Sequence, residues 1–187
     1  MDSIPTAAAK KGPHRIEIKL RDLNQLFNTM DPSPFLEKDL DADAEEFIVN
    51  WAREFPLAEP VVLTIHVSQS DPVQRPDAQI EKAVQNYFHY RATLSFMDLR
   101  RLLREGRISL VIGLGFLACC LSIAGLLRGN DEQTIRDIAR EGLTIAGWVA
   151  MWRPIEIYLY DWWPVLRRSK VFEKLSTMKI EIHRQAE

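Results

Sequence analysis

From Ile108 to Leu127 the chain runs ISLVIGLGFLACCLSIAGLL, without a charge between Arg107 and Arg128. As a helix this stretch is ~30 Å long, the thickness of a bilayer's hydrocarbon core. No other feature constrains the fold as strongly, because a solvent-exposed helix of this composition is unstable in water. A second apolar stretch, Gly142 to Pro164 (GLTIAGWVAMWRPIEIYLYDWWP), carries Arg153, Glu156 and Asp161. The mean hydropathy is nevertheless slightly negative, so the rest of the chain is ordinary water-compatible sequence.

That remainder reads as a small α/β domain. Ile16, Ile18 and Leu20 alternate with Glu17 and Lys19, the period of a half-buried strand, and Asp22 is placed to cap a short turn carrying Leu23, Leu26 and Phe27. Pro32 and Pro34 exclude helix around them. The run from Asp39 opens with acidic residues suited to a helix N-terminus and spaces Phe47, Ile48, Trp51 and Phe55 as one helical face before Pro56 stops it. Val61 to Val67 gives a second strand, with Val62, Thr64 and His66 on its expected solvated face. From Pro76 a helical pattern (Ile80, Val84, Tyr87, Phe88, Leu94, Leu99, Leu102, Leu103) leads into the apolar stretch with Gly106 as its one candidate hinge. Met178, Ile180 and Ile182 form a third alternating strand. A lone terminal strand is unstable, so it is expected to join the N-terminal sheet, either pairing with the first strand or flanking the second.

The expected fold class is therefore α+β with a membrane hairpin: a three-stranded sheet with helices in the cytosol and two transmembrane helices. The expected domains are a flexible tail (1–13), a cytosolic α/β domain ending in a long helix (14–106), a two-helix hairpin (107–164) with an external loop (128–141), and a basic segment with the last strand (165–187). Arg91, Arg100, Arg101, Arg104 and Arg107 precede the first span, and Arg167, Arg168, Lys170 and Lys174 follow the second. By the positive-inside rule both termini are cytoplasmic. In the loop, Ile135 and Ile138 with Arg136 and Arg140 suggest a short surface helix.

Candidate functional residues lie in the second segment. Leu143 to Trp152 is too short to cross alone, so either a crossing continues through Arg153 and Pro154, or Arg153 to Pro164 lies in the inner interface and leaves a short re-entrant element. A crossing places Arg153 ~15 Å from the segment's start, near mid-membrane, where a cation must be paired or wet. On a regular helix Gly142, Ala146, Val149, Glu156 and Tyr160 share its face, whereas Asp161 points away. Pro154 frees the carbonyl of Ala150. The first segment offers a stripe of Gly115, Ala118, Cys119, Ser122 and Gly125 for close packing against Gly142 and Ala146. Trp152, Trp162 and Trp163 suit an interfacial aromatic belt.

GWVAMWRPIEIYLYDWWP, HRIEIKLRDLNQLFNTMDPSPF and the NYFHYRA run into RRLLREGR resemble an abundant family of small, uncharacterised bacterial inner-membrane proteins. The resemblance implies an inner-membrane location and supplies no activity, cofactor or catalytic residue.

Several chemistries find no support. A net charge of −2 argues against nucleic acid as a partner. Cys119 and Cys120, the only cysteines, are adjacent and have no zinc spacing. Asp39, Asp41 and Asp43 begin like a calcium loop, but Ala44 and Asn50 stand where Gly and Glu are needed. His14, His66, His89 and His183 have no partner at ligand spacing. P-loop, GxSxG and HExxH motifs are missing, there is no apolar leader after the first basic residues, and no cofactor is expected. The expected function is a non-enzymatic two-span anchor presenting the α/β domain for partner binding or self-assembly, with the bilayer and a homo-oligomer or larger membrane complex as partners. The alternative is a subunit of an oligomeric channel or transporter with Arg153 and Glu156 lining a polar pathway.

Overall fold

The structure is a computed structural model and describes residues 13–68, 75–126 and 134–184. It is helix-rich with a small three-stranded parallel sheet. Its elements are β1 (His14–Leu20), α1 (Ala42–Glu54), β2 (Val61–Val67), α2 (Asp77–Leu126), α3 (Thr134–Val149), α4 (Trp152–Glu156), a π-helical turn (Ile157–Asp161), α5 (Trp162–Ser176) and β3 (Lys179–Arg184). The chain divides into two compact units, 1–92 with 170–187 and 93–169. Residues 1–12 of the expected tail and residues 128–133 of the expected external loop lie outside the described residues.

In the first unit β2 is central and both neighbours run parallel to it, with Leu63 opposite Ile16 and Ile180. The strand formed by residues 179–184 thus completes a sheet begun by residues 14–20. Asp22 accepts a hydrogen bond from the Asn24 amide at 3.0 Å and caps a 3-10 turn over Leu23–Leu26. Asp41, in the acidic run, accepts one from the Asp43 amide at 3.0 Å and starts α1. Among the described residues, no three His, Cys, Asp or Glu side chains are placed to hold a metal ion.

One face of the sheet carries the core. Ile16, Leu63, Ile65 and Ile180 pack with Ile48 and Ala52 of α1, Ile80, Val84 and Phe88 of α2, and Val171, Phe172 and Leu175 of α5. The Phe88 and Phe172 rings stack with centroids 6.3 Å apart. The buried side of α1 is Ile48, Val49 and Ala52, whereas Phe47 and Trp51 are exposed and touch each other, centroids 6.2 Å apart. The expected face of Phe47, Ile48, Trp51 and Phe55 is thus rotated. The bulky rings are not the ones buried, because small Ala52 lets α1 sit close to the sheet.

The other face corrects a second expectation. Val62 and Thr64 are buried rather than solvated. Arg15 on β1 and Glu181 on β3 meet at 3.2 Å across the intervening strand, and their long side chains cover it. Parallel registration also brings His66 beside His183, with ring centroids 5.4 Å apart, and His66 within 3.8 Å of Glu17. No spacing along the chain reveals such pairs, which depend on strand order.

α2 is a single 50-residue helix, with no hinge at Gly106. Asp77 in its first turn opposes the helix dipole. Within α2 the apolar stretch is long enough to cross a membrane, and only 17% of its most apolar window is buried. The second apolar stretch is not one α-helix. α3 begins inside the expected loop and absorbs Ile135, Arg136, Ile138 and Arg140 without a break, so the separate surface helix does not occur. Regular geometry lapses at Ala150 and Met151, four and three residues before Pro154, whose ring displaces the Ala150 carbonyl.

Candidate functional site

Within the second unit, α2 and the α3–α4 segment pack as an antiparallel pair. A methyl group built on Gly113 would lie 3.0 Å from the Ala150 carbonyl oxygen and 3.1 Å from Met151 Sδ. One on Gly147 would lie 2.8 Å from Leu117 Cδ1 and 3.3 Å from Cys120 Cβ, and one on Gly106 would meet Ile157 and Tyr158. The carbonyl freed by Pro154 is therefore the group seated on Gly113, where only a hydrogen-bearing Cα leaves room. Cys120 and Ala124 continue the buried line along α2.

The expected small-residue stripe does not make this contact. Gly115, Gly125 and Gly142 face open space, and Ala118, Cys119, Ser122 and Ala146 are exposed, with the Ser122 hydroxyl bonded back to the Ala118 carbonyl at 2.7 Å. The stripe that packs is Gly106, Gly113 and Cys120, at seven-residue intervals. That is the heptad spacing of antiparallel helices crossing at a shallow angle, and it was available in the sequence. The lapse at Ala150 and Met151 and the π turn after it break the straight-helix phase that Arg153 alone implies.

Arg153 gathers three carboxylates. Its guanidinium lies 3.1 Å from Glu105, 3.2 Å from Glu156 and 3.0 Å from Asp161. The Glu156 pairing follows from the three-residue spacing. The other two correct the sequence reading. Glu105 precedes the apolar stretch of α2, so Arg153 sits level with that stretch's beginning and not midway along it. Asp161 comes to the same face because of the π-helical turn. Eight positions along an α-helix are ~80° apart in azimuth, but a π turn accommodates one extra residue, leaving the pair ~20° from alignment, as if seven positions apart. The same extra residue turns Tyr160, expected beside Arg153, outward to 69% exposure.

The aromatic residues surround this cluster on the outside. Trp152 and Trp163 are exposed. Trp162 donates its indole N–H to the Tyr158 carbonyl at 2.8 Å and meets Trp163 edge-to-face with centroids 5.6 Å apart. Cys119 is exposed and Cys120 buried, both as free thiols.

Polar chemistry in the first unit is structural in form. The Tyr87 hydroxyl donates to Glu45 at 2.7 Å, and Arg91 binds the same carboxylate at 2.7 Å. Burial, and then this bond, pushes the Tyr87 phenol well above its usual range. A cleft of about 450 Å³ is lined by Glu59, Lys170, Glu173 and Lys174 among others. Lys174 Nζ donates to the Pro56 carbonyl at 2.8 Å, and burial draws its pKa down. His14 pairs with Glu59 and stacks on Phe55 with centroids 4.1 Å apart.

These features define an α+β unit joined to a helical pair that carries an arginine ringed by carboxylates. No family model matches the chain, and no match was found among the curated proteins or the solved structures.

Proposed function

We propose that this chain is a non-enzymatic integral membrane protein of the bacterial inner membrane. Two helical segments cross the bilayer, and the α+β unit is presented in the cytoplasm for a protein partner or further copies of the same chain. The observation that carries this reading is the outward apolar surface of the second unit. Val111, Ile112, Leu114, Phe116 and Leu126 of α2 and Trp148 and Val149 of α3 are exposed. A water-soluble monomer rarely leaves so large an apolar surface uncovered, whereas hydrocarbon covers it without cost.

The antiparallel packing of α2 with α3 and α4 supports a second crossing. Gly142 to Trp152 covers only ~16 Å, so a crossing here relies on local thinning of the bilayer and on Arg140 and Arg153 extending to the interfaces. β1 and β3 flank a common strand, which supports placing both ends of the chain in one compartment. The excess of arginine before α2's apolar stretch supports the cytoplasm as that compartment. For Arg153, three carboxylates from its own chain support a packing clamp over a pore residue, since the guanidinium's charge is already answered.

The test is membrane extraction followed by topology. The chain is expected to stay in the pellet after alkaline carbonate washing. Single cysteines introduced at Ser3 and Gln185, in a background of Cys119→Ala and Cys120→Ala, are expected to resist an impermeant maleimide in intact spheroplasts and to react after lysis. Release by carbonate would overturn the membrane reading, and labelling of one end only would overturn the double crossing. An Arg153→Leu variant that assembles normally but changes ion or proton flux would overturn the clamp in favour of a channel subunit.

A further inference from the structure

Two sets of arginines among the described residues contrast in how they are held. Arg15, Arg91, Arg153 and Arg184 are each held by a carboxylate. Arg100, Arg101, Arg104 and Arg107, immediately before the apolar stretch of α2, are exposed and make no ion pair among the described residues. Arg100, Arg104 and Arg107 recur at intervals of four and three, on one side of the helix. The carboxylate embedded in this run is Glu105, which would ordinarily neutralise Arg101, one turn away. Glu105 bonds Arg153 instead at 3.1 Å, and Asp98, one turn before Arg101, is exposed, so four guanidiniums outnumber the carboxylates along this stretch of α2.

What surrounds these arginines is apolar and aromatic. Arg100 lies over the Phe96 ring, 4.6 Å from its centroid. Phe96, Met97 and Ile108 are exposed, and Tyr158 packs level with Gly106, within the run. Unpaired guanidiniums interleaved with exposed aromatic and aliphatic side chains, at the foot of an apolar helix, match the boundary between phosphate headgroups and acyl chains.

We propose that Arg100, Arg101, Arg104 and Arg107 form a binding site for the phosphate headgroups of anionic phospholipids in the cytoplasmic leaflet. The inference rests on the membrane reading above. Arginine suits the task because its planar fork can donate two parallel hydrogen bonds to one phosphate. Nucleic acid fits less well, since it would leave Phe96, Met97 and Ile108 facing water.

The full chain would be reconstituted in nanodiscs of equal phosphatidylglycerol and phosphatidylcholine, released into mild detergent, and its retained lipids counted by native mass spectrometry. Retention of phosphatidylglycerol over phosphatidylcholine is expected to exceed tenfold. It should fall about fivefold for each arginine removed in Arg104→Gln and in Arg104→Gln with Arg107→Gln. Arg53→Gln, on the exposed end of α1, is expected to leave it unchanged. Equal retention of the two lipids, or a preference untouched by the α2 variants, would overturn the site while carbonate resistance upheld the membrane reading. Binding of a short RNA through the same arginines without lipid preference would also overturn it. Release by carbonate would remove both.

Discussion

Arg153 shows how one side chain can tie a helix break together. It joins α2, α4 and the end of the π turn through Glu105, Glu156 and Asp161, so its removal leaves three carboxylates without their shared cation. Lysine replaces the charge but cannot fork across several acceptors. Thermal stability in mild detergent is therefore expected to fall in the order Arg, Lys, Leu at position 153, and a leucine variant as stable as the parent would show that the cluster has no structural role. Glu181 makes a different prediction. Its bond from Lys179 at 3.0 Å, with the charge of Arg15 adding, holds its carboxyl below the usual range. A carboxylate depressed in the folded state contributes stability that is present above its unfolded value, near 4.5, and is lost as pH falls through the lower folded value. Glu181→Gln is expected to flatten the acid limb of stability as pH falls below Glu181's ordinary value, followed by unfolding of the sheet in hydrogen exchange. An unchanged acid limb would assign it to other carboxylates, such as Asp31, whose bonds from the Asp39 and Ser33 amides also lower its pKa.

At the scale of elements, the contact between α2 and the α3–α4 segment depends on backbone proximity, and this separates glycines that look alike in the sequence. Gly113→Ala places a methyl against the Ala150 carbonyl, a backbone atom that cannot rotate aside, and is expected to cost ~1–3 kcal/mol. Gly115→Ala, two positions on and facing open space, is expected to be neutral or to stabilise by up to ~1 kcal/mol through helix propensity. Unfolding of both variants in graded denaturant and detergent checks the contrast, and equal effects would mean that α2 packs by another face. The same comparison shows what the sequence makes legible. All three strands, the Asp22 and Asp41 caps, and the helix rising through Gly106 follow from local period and capping, each decided within a few residues. The phase of the second segment does not. It depends on a π turn at Ile157–Asp161, and no residue type announces one, so the side of the helix taken by Asp161 and Tyr160 was inverted. Cross-strand pairs such as Arg15 with Glu181 depend on strand order, which alternation leaves open. The role of Glu105 is not legible for a related reason: its partner lies 48 residues away, across a helix pairing whose close contacts are made at glycines.

At the scale of the molecule, the two units differ in how their apolar side chains are satisfied. Among the described residues, the buried members of the first unit's core cluster run up to Phe88 and from Val171 onward, with Ala92 packed against them, all within that unit. The chain leaves this unit along α2 and returns along α5, and at the crossing points Arg91 lies over the Phe172 ring, 5.4 Å from its centroid. Those two helices are therefore adjacent where they would be cut. Residues 13–92 and 170–187, joined by a flexible linker of about six residues, which reaches ~13 Å on average, are expected to fold alone in water. Parallel pairing of β2 with β3 is then made by a chain that no longer visits the apolar hairpin. A dispersed amide spectrum, with protected amides in β2 and β3, is the expected result. Removing Phe172 from this minimal unit (Phe172→Ala) is expected to cost ~3–5 kcal/mol and to unfold it outright if its margin is typical of small domains. A collapsed spectrum for the parent minimal unit would mean that β3 is held in the sheet by the hairpin, and that the membrane part acts as a folding template rather than as an anchor.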